Sequence, residues 1–458
     1  SQASFSGFSN ELNGKPNVPP SGVDTVFAYG GTRSVLLQWS DTSAVKRKYN
    51  IYRGIISTSL DKIASNIDTT FYVDNSANAN VKYYYGIRVV DSVGAASNIS
   101  KLANTISSNI WVIDTAGKST GNGSSNFPLK SIQYAIDNSV PGDTIILNNG
   151  TYAENLEVFS KVLVIKAKNT GKAIIIPATS GKTTLSVQDL NQCCNLSDYP
   201  KARNKFIGLT FSNNTTTQWG TEPPAAVNVN QMSNPIFESC TFSNNSSQYV
   251  FNFDRTSASF VNCLIINNTV QSGIFNNGYQ DTTQARTNMP RFINSIFDNN
   301  SYFSRNCCGQ EGSIYIFNSI ISNNGYDNNF NEKLFRVINS VIDNPKFAKQ
   351  SATNLIADPQ FNNPSSGDYS LSNFSPALGK GLDKYVIGSA GGYDTLKAVV
   401  FDFNSATRPN PTGTNADLGA YENKYSISAP QISRLQKAGT AMLSQANAST
   451  QDILSLLT

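Results

Sequence analysis

The chain of 458 residues is 39% hydrophobic but only 14% charged, with a formal net charge of +4, enough for two or three domains and a sizeable core. Lys and Arg are scattered, which excludes a nucleic-acid footprint or a polybasic membrane patch, and no apolar run approaches the roughly 18 residues of a spanning helix. There is no His, so the commonest general base and the commonest zinc ligand are both missing, and neither metal nor cofactor is expected.

Residues 1–17 are rich in Ser, Asn and Gly and read as an extended arm; the first residue is Ser1, in keeping with a processed, secreted chain. From 18 to 105 short apolar runs alternate with turns: Ser34–Trp39, Lys48–Arg53, Thr70–Asp74 and the Tyr-rich Lys82–Val90. Their spacing and the lone Trp39 predict a β-sandwich of about seven strands. This stretch resembles a fibronectin type III module, which implies a spacer or binding platform and no chemistry.

The segment 109–423 opens with Trp111–Asp114, a Gly/Ser loop, a short helical pattern at Phe127–Asp137, the turn Pro141-Gly142-Asp143 and an apolar run from Thr144. Ile132, Ala135 and Ile136 fall on one helical face, predicting a cap over an open solenoid end. A six-residue phrase then recurs six times, beginning at Phe206, Phe237, Phe260, Phe292, Ile316 and Val337. Its fourth positions, Leu209, Cys240, Cys263, Ser295, Ser319 and Ser340, lie 31, 23, 32, 24 and 21 residues apart. Such a recurrence marks a solenoid.

Apolar residues at positions one, four and six break the period of two of a flat strand, so the chain bends at position three. That position is Asn in four copies and Gly or Ser in the others, and Asn and Gly adopt left-handed backbone most cheaply. An Asn-rich turn follows each phrase: Asn213-Asn214, Asn244-Asn245, Asn267-Asn268, Asn299-Asn300, Asn323-Asn324 and Asp343-Asn344. The expected fold is mainly β: a right-handed parallel β-helix behind an N-terminal β-sandwich and ahead of a C-terminal α-helix.

The opening of this segment resembles the pectin-lyase-like β-helix proteins of bacterial surfaces. Asp358-Pro359-Gln360-Phe361, Asp368–Leu371, Ser375–Gly379 and Asp417–Glu422 resemble their closing coils.

The six cysteines fall in this segment. Cys240 and Cys263 share one phrase position and read as stacked core thiols or as disulfide partners; Cys193-Cys194 and Cys307-Cys308 are vicinal pairs in polar loops that could bridge in an oxidising compartment.

From 428 to 458, Pro430 opens a helical pattern in which Ile432, Leu435, Gly439, Met442, Leu443, Ala446, Ile453, Leu456 and Leu457 supply the packing positions. The stretch is short of charge and has an Ala/Gly stripe suited to helix packing. Gln436–Leu457 resembles the C-terminal core helix of bacterial flagellins, which implies self-association into a filament or docking onto another filament subunit. The family's N-terminal partner helix has no counterpart ahead of the sandwich-like region.

The candidates for catalysis are Asp254, Arg255, Asp281, Arg291, Asp298, Arg305, Glu311, Asp327, Glu332 and Arg336. A hydrolase needs two facing carboxylates and a calcium-dependent lyase a cluster of them; no tight group stands out, and Asp298 and Asp343 read as turn formers. No catalytic residue is therefore assigned. Tyr249, Tyr279, Tyr302 and Tyr326, taken as exposed, together with the Asn/Ser/Thr rows, point to glycans as a second partner class. The sequence thus reads as a non-catalytic extracellular structural protein of a flagellum-like filament. The alternatives are a carbohydrate-binding adhesin and a polysaccharide lyase or hydrolase.

Overall fold

The computed structural model describes residues 18–43, 46–188, 203–217, 223–230, 233–277, 289–304, 314–327, 330–389, 392–424, 440–442 and 445. They form two compact units, the first built from the chain up to Trp111 with 120–128, the second from 112–119 and 129 onward.

The first unit is the expected sandwich. One sheet orders Thr25–Gly31, Ser34–Ser40 and Phe71–Asp74; the other orders Ser59–Ile67, Lys48–Ile56, Lys82–Val90 and Ala103–Ile106, with every pairing antiparallel. Alternation along Ser34–Ser40 and Lys82–Val90 sends Val35, Leu37, Trp39, Tyr83, Tyr85, Ile87 and Val89 into one core with Tyr49 and Ile51. Each large side chain so buried contributes about 1.5–3 kcal/mol. Asp74 lies at the edge of this core and accepts hydrogen bonds from Arg53 at 2.7 Å, Tyr85 at 2.8 Å and Ser76 at 2.7 Å. Burial alone would raise its pKa, but these donors outweigh it and hold the carboxyl below its ordinary value.

The second unit is a parallel β-helix with three sheets. The first runs Thr144–Leu147, Val164–Ala167, Lys205–Ile207, Ile236–Glu238, Ser259–Val261, Arg291–Ile293, Ile314–Phe317, Phe335–Ile338; the second runs from Gly150–Ala153 to Leu355–Ile356; the third joins Leu156–Phe159, Leu185–Gln188, Ala225–Asn230, Tyr249–Phe253 and Gly273–Asn277. The phrases stack without slippage: Phe206, Phe237, Phe260, Phe292, Ile316 and Val337 are successive partners. Their rings pile up at centroid spacings of 4.8, 4.8 and 4.4 Å. Apolar area is thereby removed from water coil by coil.

The bend falls where the sequence puts it. Gly208, Ser239, Asn262, Asn294, Asn318 and Asn339 all have positive φ, from 49° to 67°. A second left-handed series follows at Asn213, Asn244, Asn267, Asn299 and Asn323. The next Asn of each pair turns inward and builds a ladder: the backbone N–H of Asn214, Asn245, Asn268 and Asn300 donates to the side-chain oxygen of Asn245, Asn268, Asn300 and Asn324 respectively, at 3.0 to 3.2 Å. Asp343 ends it by accepting from Asn324 N–H at 3.0 Å. The sixth turn departs from the expected pair, since Asn344 instead caps the helix Pro345–Ala348.

Helix Ile132–Asn138 has its first turn closed by Glu154, which accepts from the N–H groups of Ile132 and Gln133 at 2.8 and 2.9 Å; Ile132, Ala135 and Ile136 are buried. Gln133 donates to the Glu157 carbonyl at 3.1 Å and accepts from the Glu157 N–H at 2.9 Å, so one amide side chain satisfies backbone groups at the edge of the third sheet.

Residues 357–423 differ from the expected closing coils. They form antiparallel hairpins, Phe361–Asn363 with Asp368–Leu371 and Lys384–Ser389 with Gly392–Lys397, and lie as a strap against the outside of the later coils. Phrase position five explains why. It is Thr210 and Thr241 in the early copies but Leu264, Ile296, Ile320 and Val341 afterwards, and these four pack with Tyr369, Leu371, Leu378, Phe403 and Leu418 of the strap. Position two behaves alike: Ile293, Phe317 and Ile338 on the first sheet pack with Ile387 and Leu396 of the second hairpin.

Candidate functional site

The left-handed corner supplies the fastening for this strap. Bending at position three turns the Asn amides outward, where Asn262 donates to the Phe401 carbonyl at 2.7 Å, Asn318 to Leu382 at 2.8 Å and Asn339 to Lys380 at 2.8 Å. Asn318 also accepts from the Leu382 N–H at 3.1 Å. One residue type thus makes the corner and recognises backbone.

The strap closes around Arg408. Its guanidinium donates to the carbonyls of Asp417 and Gly419 at 3.2 and 2.8 Å, and its Nε lies 3.8 Å from Glu422, both side chains being at most 1% exposed. Glu422 accepts from the N–H groups of Asn410 and Asp417 at 2.9 and 3.0 Å; Asp417 accepts from those of Gly379 and Asn423, both at 2.7 Å; Asp402 accepts from Asn404, Ala406 and Glu422 at 2.7 to 3.1 Å. Burial, then the neighbouring Asp417 charge, pushes the Glu422 carboxyl up to about 7. Three acids tie together four stretches of strap through their oxygens. This is a knot of caps with its charges turned inward.

The candidate catalytic acids among the described residues are dispersed. Asp298 is buried and accepts from Ser322 at 2.6 Å and Asn323 at 2.8 Å. Asp343 accepts from Tyr326 at 2.6 Å, and burial raises its pKa. Asp254 pairs with its sequence neighbour Arg255 at 3.1 Å, and Glu332 lies 3.8 Å from Lys346. Arg291 and Arg336 flank Tyr315 in one row of the first sheet, beside the face the second hairpin covers. Asp327 lies in the loop after Ser322, while Asp281, Arg305 and Glu311 lie outside the described residues. Among the described residues no group of three or more Cys, Asp or Glu side chains could hold a metal ion.

Cys240 and Cys263 are free and buried, their thiols donating to the carbonyls of Phe206 and Phe237 at 3.3 and 3.4 Å. Burial pushes the Cys240 thiol up to about 12 and raises that of Cys263. Ser295, Ser319 and Ser340 continue their row, each hydroxyl accepting the marker N–H of the preceding coil at 3.0 to 3.2 Å. Cys193, Cys194, Cys307 and Cys308 lie outside the described residues.

Three of the tyrosines expected at the surface are not exposed. Tyr249 is 3% exposed because its strand faces the core, and Tyr326 is half-buried against Phe303 and Phe330 while bonding Asp343. Tyr302 is half-buried; Tyr279 lies outside the described residues. In the tail, 440–442 and 445 are helical, and Met442 is 72% exposed. Ile432, Leu435, Gly439, Leu443, Ala446, Ile453, Leu456 and Leu457 lie outside the described residues.

Surface grooves lie among the described residues of the early coils. One of about 560 Å³ is mostly apolar, lined by Leu129, Tyr134, Thr151 and Ala153, with Glu154 committed to the helix cap. Another, about 520 Å³, is polar and follows the outer face of the third sheet past Asn155, Glu157, Lys182, Ser186 and Gln188. Sequence reasoning missed both the strap and this second groove. The strap was signalled by the switch from Thr to Leu, Ile and Val at position five; the groove by the outward Glu157, Ser186 and Asn228 of a sheet outside the repeated phrase.

No family model matches the chain. An amylopullulanase of Thermoanaerobacterium saccharolyticum is 35% identical over 89 residues, 19% of this chain and 7% of that protein; one from Thermoanaerobacterium thermosulfurigenes is 33% identical over 89 residues, 19% and 5%. The chain therefore spans less than a tenth of these curated relatives. Among solved structures, a Fn3-like protein from Clostridium thermocellum is 24% identical, with 18% of this chain and 92% of that one covered and a TM-score of 0.16. The pectate lyase Pel9A is 14% identical, covering 69% of this chain and 96% of that one, with a TM-score of 0.35.

Proposed function

We propose that the chain is a non-catalytic, carbohydrate-facing structural protein whose β-rich units are displayed outward from an extracellular filament joined by its C-terminal segment. The observation that carries the non-catalytic part is the use of the buried and half-buried acids. Glu154, Asp298, Asp343, Asp402, Asp417 and Glu422 all spend oxygens on named backbone or side-chain donors, the arrangement of caps. A general acid or base needs an oxygen open to a reacting group. The 89-residue stretch that is 35% identical to an amylopullulanase supports the carbohydrate-facing part.

The filament part is supported by the packing positions and Ala/Gly stripe of 428–458, and by a strap whose knot is complete by Asn423. Electron microscopy and sedimentation of the full chain against a chain ending at residue 429 test it. The full chain is expected to assemble, alone or with a filament subunit, and the shortened one to remain monomeric. Leu443→Asp should act as the truncation does, by placing an unpaired charge in an apolar helix contact. Equal assembly of full and shortened chains would overturn the reading, and so would a full chain that stays monomeric and docks on no filament.

A further inference from the structure

The polar groove is built by register. Leu156–Phe159, Leu185–Gln188 and Ala225–Asn230 pair so that Glu157, Ser186 and Asn228 form one row, while Phe159, Gln188 and Asn230 form the next. The alternate residues Leu156, Val158, Leu185, Val187, Val227 and Val229 are buried in the coil interior, so both rows point away from it; Glu157 is exposed and Phe159, Ser186 and Gln188 are half-buried, whereas Asn228 and Asn230 are each 4% exposed. Strands spaced about 4.8 Å apart and rows roughly 7 Å apart give a grid on the scale of a sugar ring. At about 520 Å³ the groove has the size of small-ligand sites.

The chemistry of the lining narrows the occupant. Glu157 and Lys182 are both exposed, one negative and one positive, so the groove has no net charge to attract a polyanion or a cation. Asn155, Gln188, Asn228 and Ser186 are amides and a hydroxyl, groups that both donate and accept, as sugar hydroxyls do. Phe159 adds a half-buried ring, a flat apolar surface for the C–H face of a pyranose. Thr216, which also lines the groove, is 4% exposed, and its hydroxyl has no hydrogen-bond partner in the structure. A wholly apolar ligand would strand these polar groups; a uronate chain would meet Glu157.

We infer that this outer face of the third sheet is a binding site for a neutral saccharide, with Phe159 as the stacking surface and the Glu157, Ser186 and Gln188 side chains reading hydroxyls. The inference rests on the carbohydrate-facing reading, and the experiment separates the two. Full-length protein is titrated calorimetrically with maltohexaose, cellohexaose, xylohexaose and chitohexaose, and with oligogalacturonate as the charged comparison. At least one neutral probe should bind; Phe159→Ala should weaken it tenfold or more, while Phe159→Tyr should keep most of the affinity. Ser186→Tyr, which fills the groove from an outward position, should also abolish binding, with circular dichroism melts showing that both weakened variants stay folded. A neutral probe that binds wild type, Phe159→Ala and Ser186→Tyr alike would overturn the site and leave the carbohydrate-facing reading standing. Binding of no probe would sink both, and binding of oligogalacturonate alone would overturn the choice of a neutral ligand.

Discussion

The early and late coils of the β-helix share an interior and differ outside. Phe206, Phe237, Phe260 and Phe292 stack in the same way through both, but position five is Thr at 210 and 241 and becomes Leu, Ile, Ile and Val from 264 onward. The inward pattern decides that coils form; the outward pattern decides what covers them. Late coils give their outer faces to the strap, and the early coils, with Thr at this position, do not.

The sharpest way to break this comparison is to place one charge at the same phrase position in each half. Ile320→Asp puts a carboxylate beneath the strap, where Gly419 comes so close that an added Cβ would lie 2.7 Å from the Ile320 side chain. The expected loss is roughly 4 kcal/mol, the range for burying an unpaired charge. Thr241→Asp, in an uncovered coil, should cost about 1 kcal/mol or less. Urea unfolding gives both values, and limited proteolysis should release the strap in the first variant alone. Equal losses would mean that the two halves are not distinguished by what covers them.

A second contrast is in pH. Glu422, in the knot of the strap, has its carboxyl raised to about 7, so the folded chain holds that proton more tightly than the unfolded one. Its contribution is fully present below the unfolded value of 4.5 and is lost as pH rises through about 7. Asp74 in the sandwich is lowered, so its contribution is present above the unfolded value of 3.8 and lost in stronger acid. Asp343 is shifted in the same direction as Glu422, so the variant Glu422→Gln is needed to isolate the knot. The melting temperature of the β-helix should fall between pH 5 and pH 8, and Glu422→Gln should flatten that slope by removing one titrating group. An unchanged slope in the variant would assign the pH dependence elsewhere.

The legible and illegible parts of the molecule divide along the same line. Position three was readable as a corner because few residue types tolerate left-handed backbone, and all six copies adopt it. The outward amide of the same Asn, clasping the backbone near Phe401 and Leu382, was not readable, because its partners lie 139 and 64 residues away. Asp417 and Glu422 lie in a stretch that stood out in the sequence, yet nothing local says that it folds back along the coils. That depends on the apolar row Leu264, Ile296, Ile320 and Val341, which only the register brings together. Tyr249 was misjudged for a related reason: it opens a third-sheet strand, and that sheet has no counterpart of the repeated phrase to fix which side faces in.

The smallest expected effect belongs to the row in which sulfur gives way to oxygen between the third and fourth copies of the phrase. Cys240 and Cys263 occupy the position that Ser295, Ser319 and Ser340 fill further along, and every one of these side chains is buried. Both chemistries satisfy the same surroundings: the thiol of Cys263 donates to carbonyls of Phe237 and Val261 at 3.4 Å, and the hydroxyl of Ser319 donates to that of Phe317 at 2.8 Å. Cys263→Ser should therefore bring its own hydrogen bond and cost about 1 kcal/mol or less, whereas Cys263→Val has no donor and leaves a buried carbonyl short of a partner, at about 1–3 kcal/mol. Denaturant midpoints order the two variants. If Val proved the milder change, the row would be held by apolar contact alone, and the succession of serines in the late coils would need another cause.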